Sequence, residues 1–176
     1  MVSREPRVLI AYGTTNGSTA EIAERIGDVL SKEGCSTTVR SADAAWRNVA
    51  EYDAVVLGGA LYAGRWHRNA RRFARRARRE LAERPVWLFS SGPLDASASD
   101  RDIAPVPGVR RIAARIDARG HVTFGGRLDE NARGRMARML VNSGKGGDFR
   151  DFEHISAWAR GIADDVGSAL EGRAGL

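Results

Sequence analysis

The stretch from Arg7 to Ile26 constrains the fold most, because an apolar run there passes into a loop of small residues and then into a helical pattern. Residues 8–12 are almost continuously apolar, which is typical of a strand covered on both faces in a parallel sheet. Beyond residue 20 the apolar side chains recur at three- and four-residue spacings, which places them on one face of a helix. The stretch therefore predicts a buried strand, a loop and an amphipathic helix that ends near Gly34.

The loop between this strand and helix, residues 13–19, contains no charged side chain. It offers an anion backbone N–H groups, hydroxyls and the positive end of a helix dipole. The triphosphate motif GxxxxGK[ST] needs a lysine that is missing here, and GxGxxG is missing too. We therefore predict a site for the phosphate of a mononucleotide; the alternative is that Ser18 and Glu21 form only a helix capping box. The residues predicted to bind the phosphate are Thr14, Thr15, Asn16, Gly17, Ser18 and Thr19.

Four later segments have strand patterns, and helical segments separate them. This alternation predicts a parallel sheet with helices on both faces, joined by right-handed crossovers. We predict five strands in the order 2-1-3-4-5, within a single domain spanning residues 1–176. In such a sheet the ligand lies beyond the carboxyl ends of the first and third strands. The later strands are predicted at 35–40, 54–59, 85–91 and 121–128, and the later helices at 68–81, 109–118 and 153–170, with a short helix or turn at 46–52.

The first strand, loop and helix resemble the signature of the flavodoxin family, which is an aromatic strand end, a loop rich in Thr and Ser, a Gly, a Thr and then a helix with an Ala. The resemblance implies a flavodoxin-like three-layer α/β sandwich, and it implies that residues 14–19 bind the phosphate of FMN. Residues 62–67, YAGRWH, also resemble the branch that includes menaquinone-dependent protoporphyrinogen dehydrogenases, in which this loop contacts the flavin. That branch has an extension matching the long connection 129–152. The positions that match the signature are Tyr12, Thr14, Gly17, Thr19, Ala23 and Ile26.

Two further loops follow the third and fourth predicted strands. An isoalloxazine ring needs flat apolar walls and close backbone approach, so Tyr62 or Trp66 is a candidate to stack on it while Gly64 leaves room. The alternatives are that both aromatics are core or rim residues and that the second loop is a plain turn. The resemblance implies that the second loop borders the other side of the flavin. The candidate cofactor contacts are Ala60, Leu61, Tyr62, Ala63 and Gly64 in the first of these loops, and Ser91, Gly92, Pro93 and Leu94 in the second.

The predicted helix at 68–81 is strongly basic on one face and apolar on the other. Its basic face is either an ordinary solvated surface or a docking site for an anionic membrane or an acidic partner protein. Nucleic-acid binding is not favoured, because no recognised binding motif accompanies these residues. Of the 28 basic residues only Lys32 and Lys145 are lysines, so codon composition is a further explanation for the net charge of +6. The apolar face is predicted to contain Ala70, Phe73, Ala74, Ala77 and Leu81.

Composition excludes several other classes. Cys35 is the only cysteine, so a disulfide scaffold is excluded and a buried structural thiol is expected. The three histidines lack metal-ligand spacing, so no metal site is predicted. No apolar run reaches the length of a membrane span and residues 1–6 are polar. We therefore expect a soluble cytoplasmic protein, with peripheral contact at the inner membrane surface as a further alternative.

Three functions fit these features. An FMN-dependent oxidoreductase would pass hydride from a reduced substrate, such as protoporphyrinogen, to the flavin and on to a quinone, with Arg65 and Arg68 holding substrate carboxylates. An electron carrier would exchange electrons with a protein partner, and a cofactor-free module would use only the basic helix. Positive charge near a flavin stabilises its reduced anion, which favours the oxidoreductase. No catalytic base is assigned, because a flavin carries this chemistry itself.

Overall fold

The computed structural model describes residues 4–92, 97–128, 142 and 147–175. Its strands are β1 (Arg7–Gly13), β2 (Ser36–Ser41), β3 (Ala54–Tyr62), β4 (Arg65–Trp66), β5 (Val86–Ser91), β6 (Gly120–Phe124), β7 (Arg127–Leu128) and β8 (Gly147–Asp148). Five of them form a parallel sheet in the order β2-β1-β3-β5-β6, and β4 folds back antiparallel onto the end of β3. Because β5 and β6 are the fourth and fifth long strands, the predicted order is confirmed.

Helices cover both faces of this sheet. They are α1 (Ser18–Lys32), α2 (Ala42–Ala45), a 3-10 helix (Trp46–Glu51), α3 (Arg68–Arg76), α4 (Arg78–Ala82), α5 (Ser97–Asp100), α6 (Pro107–Ile116) and α7 (Phe152–Ala174). One hydrophobic cluster joins the sheet to α1 and α7. A second cluster joins the opposite face to α2, the 3-10 helix, α3, α4 and α6. The result is the three-layer, flavodoxin-like sandwich that the sequence predicts.

The continuous apolar run of β1 is explained by its position at the centre of the sandwich. Leu9 and Ala11 belong to the cluster on one face, and Val8 and Ile10 belong to the cluster on the other. All four side chains are fully buried. A strand covered on both faces cannot alternate polar with apolar residues, so it has lost the period of two that marks a half-exposed strand.

Two predicted elements are interrupted in the structure. The basic helix is divided at Ala77, whose backbone departs from helical geometry at φ −96° and ψ 20°. Its apolar face is nevertheless buried as predicted. The fifth strand ends at Phe124, and the next residue, Gly125, lies so close to Phe149 that an added Cβ would come within 1.9 Å of the Phe149 carbonyl oxygen. The chain resumes as β7, which pairs with β8 instead of extending β6.

Cys35 is buried, and burial together with Glu5 and Glu33 raises the pKa of its thiol. Within the described part of the chain, no helix combines the length and apolar character that crossing a bilayer requires. Pro93, Leu94 and residues 129–141 and 143–146, which include most of the predicted extension, lie outside the described residues.

Candidate functional site at the carboxyl edge of the sheet

A cavity of about 330 Å³ opens where β1, β3 and β5 end and α1 begins. This edge is the point where the strand order reverses, and ligands of doubly wound sheets bind there. The cavity brings together predicted residues from three separate loops. They are Thr14, Ser18 and Thr19 from the first loop, Ala60, Leu61, Tyr62, Ala63 and Gly64 from the second, and Ser91 and Gly92 from the third.

The first loop turns sharply at Gly17, which adopts a left-handed conformation at φ 84° and precedes the first residue of α1. The Gly17 backbone N–H donates to the Thr14 hydroxyl across 3.1 Å, which closes the turn. The capping-box alternative is wrong, because no side chain caps α1 in the structure as described. Ser18 instead accepts a hydrogen bond from the backbone N–H of Arg127, and Glu21 pairs with arginines.

Two buried hydroxyls in the cavity wall have no hydrogen-bond partner among the described residues. Thr19 is 0% exposed and Ser91 is 2% exposed, and both side-chain oxygens are unpaired. Buried polar atoms in native proteins are nearly always paired, and each unpaired one costs about 1–3 kcal/mol. The two hydroxyls lie on the first and third loops, so a polar ligand that fills the cavity could form a hydrogen bond with each of these loops.

Thr15, Asn16 and Gly17 do not line the cavity, and two hydrogen bonds hold the side chains of Thr15 and Asn16 against the chain that follows β3. The Asn16 amide donates to the Tyr62 hydroxyl across 3.1 Å. His67 Nε2 lies 3.2 Å from the Thr15 hydroxyl. These residues therefore position the loop, whereas their neighbours face the cavity.

His67 also caps α3, because its Nδ1 accepts the Asn69 backbone N–H across 3.2 Å. Since Nδ1 accepts, the neutral ring carries its proton on Nε2, and this N–H donates a hydrogen bond to the Thr15 hydroxyl. Burial lowers the pKa of His67, and the nearby Arg68 and Arg71 lower it further. The histidine is thereby held in the neutral form that both hydrogen bonds need.

The structure separates the two aromatic candidates of the second loop. Tyr62 is half-buried in the cavity wall. Trp66 is 2% exposed and packs in the core, so it cannot stack on a ligand in the cavity. The turn at Ala63 and Gly64 pairs Trp66 with Leu61, and the indole then fills the space beside Gly59. An added Cβ at Gly59 would lie 2.6 Å from the indole nitrogen, so that glycine is what admits Trp66 to the core.

The two arginines predicted to hold substrate carboxylates do not line the cavity. Arg65 lines an adjacent depression of about 380 Å³, which shares Gly64 and Val106 with the cavity. Arg68 is the first residue of α3 and lines a groove on the far side of that depression. Any substrate that reaches both arginines would therefore have to extend outside the cavity.

Sequence reasoning missed the remaining wall of the cavity, which is formed by Ile103, Ala104, Val106, Thr123, Gly126 and Arg127. Arg127 is the only charged residue among the described residues of the wall. Its guanidinium lies 3.4 Å from a Glu21 carboxylate oxygen. The sequence feature at this position is the Gly-Gly-Arg run that follows β6. It does not indicate that Arg127 contacts α1, which lies more than a hundred residues earlier in the chain.

Arg150 completes this ionic network and ties β8 to the start of α1. Its side chain is 5% exposed, pairs with Glu21 and binds Asp148 at 2.8 Å. Hydrogen bonding to Arg150 is the main reason that the pKa of Asp148 is lowered. The network is structural, because Arg150 does not line the cavity, yet it anchors the segment that carries Arg127.

The fold and the site together define a class, namely a doubly wound α/β domain with its ligand cavity between the first and third strands and beside the first helix. A family model described as Flavodoxin domain matches residues 9–145, and the chain belongs to this flavodoxin family.

Solved structures with the same fold agree with this assignment. Oxidised flavodoxin 2 from Bacillus cereus is 18% identical with a TM-score of 0.62, and the match covers 90% of this chain and 99% of that one. A flavodoxin from the domain Archaea is 14% identical with a TM-score of 0.62, covering 92% and 99%. Rubredoxin oxygen:oxidoreductase from Desulfovibrio gigas is 13% identical with a TM-score of 0.62, covering 94% of this chain but 38% of that one. At these identities the likeness shows the fold alone.

Proposed function

We propose that the protein binds FMN in this cavity and works as a flavin-dependent redox protein. The observation that carries the proposal is the pair of buried, unpaired hydroxyls on Thr19 and Ser91, placed on two loops of one cavity in a chain of the flavodoxin family. The flavin supplies the electron and hydride transfer when it is bound. The protein binds it, orients it and sets the charge around it.

The residues of the cavity suit the two ends of FMN differently. Thr14, Ser18 and Thr19 lie at the amino end of α1, where hydroxyls and the helix dipole favour a phosphate without a side-chain cation. The second and third loops offer apolar or backbone-rich walls suited to a flat ring. Tyr62 supplies the aromatic surface in that wall.

Charge favours an oxidoreductase over a one-electron carrier. Among the described residues of the wall there is no carboxylate, and Arg127 is the single charged group. Glu21 offsets part of its charge, while Arg65 and Arg71 add positive charge in the adjacent depression. A positive environment stabilises the reduced, anionic flavin by Coulomb attraction, so we expect its reduction to occur as one two-electron step.

We extend the proposal to a porphyrinogen-type donor and a quinone acceptor, with each turnover moving two electrons and two protons from donor to quinone. The support is the resemblance of residues 62–67 and the position of Arg65 beside the mouth of the cavity. Electron carriage for a protein partner is the second candidate. It is supported by the match to almost the full length of flavodoxin structures.

The test is the visible spectrum of the purified protein, mass identification of any released chromophore, and titration with FMN and with riboflavin, which lacks the phosphate. We expect stoichiometric FMN binding and much weaker riboflavin binding. A redox titration should then show a single two-electron wave, followed by turnover assays with protoporphyrinogen and menaquinone. Two well-separated one-electron waves would favour the carrier. A colourless protein that ignores FMN would refute the redox function and leave a cofactor-free interaction module.

A further inference from the structure

A groove of about 420 Å³ runs between the basic helices α3 and α4 and the neighbouring helix α6. Its floor is aliphatic and is formed by Ala74, Ile112 and Ile116. Its walls are arginines from both sides, namely Arg68, Arg71, Arg72, Arg75, Arg78 and Arg115. A solvated helix face would be convex and surrounded by water, whereas these cations surround a concave apolar surface.

The arginines of this groove form no ion pair within the described part of the protein. Arg71 donates from Nε to the Trp66 carbonyl oxygen at 3.1 Å. The side chains of the other five form no hydrogen bond or ion pair with any described residue. By contrast, Arg127 and Arg150 are both paired with carboxylates. Arginines three and four residues apart on one helix repel each other, and a bound polyanion would relieve that repulsion.

The groove is continuous with the mouth of the candidate cofactor cavity. The depression that contains Arg65 and Arg111 shares Arg71 with the groove and shares Gly64 and Val106 with the cavity. We call the six groove arginines together with Arg65 and Arg111 the basic track. A partner lying along the basic track would end beside the cavity.

We propose that the basic track docks the acidic face of a protein partner, specifically a helix that carries carboxylates on both sides of an aliphatic side chain. The guanidinium groups would pair with the carboxylates in bidentate fashion, and the aliphatic side chain would enter the groove. Amphipathic surfaces that enter lipid present projecting aromatic and aliphatic residues, whereas this surface is recessed and has no aromatic side chain among its described lining residues. The inference rests on the proposed function only in identifying this partner as the electron donor or acceptor.

The test uses the whole chain and a synthetic helical peptide in which pairs of Glu alternate with pairs of Leu. The control peptide has the same pattern with Gln in place of every Glu. Binding is measured by calorimetry at low and moderate salt. We expect the Glu peptide to bind, its affinity to fall with salt, and the Gln peptide to bind at least about tenfold more weakly.

The informative variant is the double charge reversal Arg72→Glu with Arg115→Glu, one residue from each wall of the groove. Its matched control is Arg40→Glu with Arg160→Glu, which changes net charge equally at exposed positions on β2 and α7. We expect the groove variant to bind the Glu peptide about tenfold or more weakly and the control to change affinity by about twofold at most. Equal losses in the two variants, or no peptide binding by the wild type, would overturn the proposal.

Two further measurements separate this inference from its alternatives. Vesicles containing one-quarter phosphatidylserine test a lipid surface, and binding of vesicles that is sensitive to the groove variant, without peptide binding, would overturn it in favour of a membrane. FMN uptake is measured on the same variants and should be unchanged, because neither Arg72 nor Arg115 lines the cofactor cavity. If FMN is not bound while the peptide docks as expected, the proposed redox function fails and the docking surface stands.

Discussion

Thr19→Val should stabilise the protein without its ligand and weaken FMN binding, and these opposite signs follow from one hydroxyl. Thr19 is fully buried, its oxygen is unpaired among the described residues, and it lines the cavity. Valine keeps the branched shape and removes the unsatisfied group, so the free energy of unfolding of the ligand-free protein should rise by about 1 kcal/mol. A hydrogen bond to a charged phosphate contributes about 1.5–3 kcal/mol, so affinity should fall roughly 10- to 100-fold.

Urea unfolding of the ligand-free protein and fluorescence titration with FMN measure the two effects. Thr38→Val is the control, because Thr38 is a half-buried residue of β2 away from the cavity. It should not combine higher stability without ligand with weaker FMN binding. Riboflavin affinity should be nearly unchanged in Thr19→Val, since the lost bond is to the phosphate. A variant that is less stable without ligand and binds FMN as tightly as the wild type would refute the reasoning, because it would mean that the hydroxyl has a protein partner.

Three other predictions concern the framework of the site. Gly58→Ala should lower the free energy of unfolding, measured in urea, by about 3 kcal/mol, because its Cβ would lie 1.9 Å from the buried Phe89 ring. The control is Gly161→Ala on α7, whose Cβ would meet nothing within 4 Å and which should stabilise the protein by up to about 1 kcal/mol. Equal effects of the two substitutions would contradict this prediction. Burial lowers the pKa of His121 from 6.5 to about 4, so the stability present above pH 6.5 should be lost as the pH falls toward 4, by about 3 kcal/mol, and His121→Asn should flatten that part of the pH profile; an unchanged profile would refute it. Arg150→Met should remove the ion-pair partner of Asp148 and leave Glu21 paired with Arg127 alone, and it should weaken FMN binding several-fold through displacement of β7, with salt partly masking the difference; unchanged affinity would show that the ionic network is dispensable.

The periodicity of the sequence was sufficient to predict the architecture because the three inner strands, β1, β3 and β5, are buried on both faces. A continuous apolar run such as that of β1 has few alternatives in a chain of this length, and alternating helices leave a parallel sheet. The first loop was predictable for the same reason, since a run of small uncharged residues between a buried strand and a helix can lie only at the carboxyl edge. Ser91 and Gly92 followed from the same rule.

The errors share a different cause. Trp66 was a candidate to stack on the ring because a flavin needs a flat apolar wall, but the turn at residues 63–64 returns it to the core beside Gly59, which was the alternative. The capping box of Ser18 and Glu21 is a local pattern that distant residues override, since Arg127 and Arg150 occupy both side chains. No local pattern could have predicted these contacts, because they depend on where a later segment crosses the start of α1.

The sequence by itself determined where the strands and helices lie along the chain, which helix faces are buried and that an uncharged loop lies at the sheet edge, since each of these follows from the residue pattern of a short segment. Only the tertiary structure decided which residues enter the cavity and which merely support it. That division depends on contacts between segments far apart in the chain, such as Thr15 with His67 and Ser18 with Arg127. The same holds for the basic track, because the sequence shows the arginines of α3, whereas the groove exists only where α6 packs beside them.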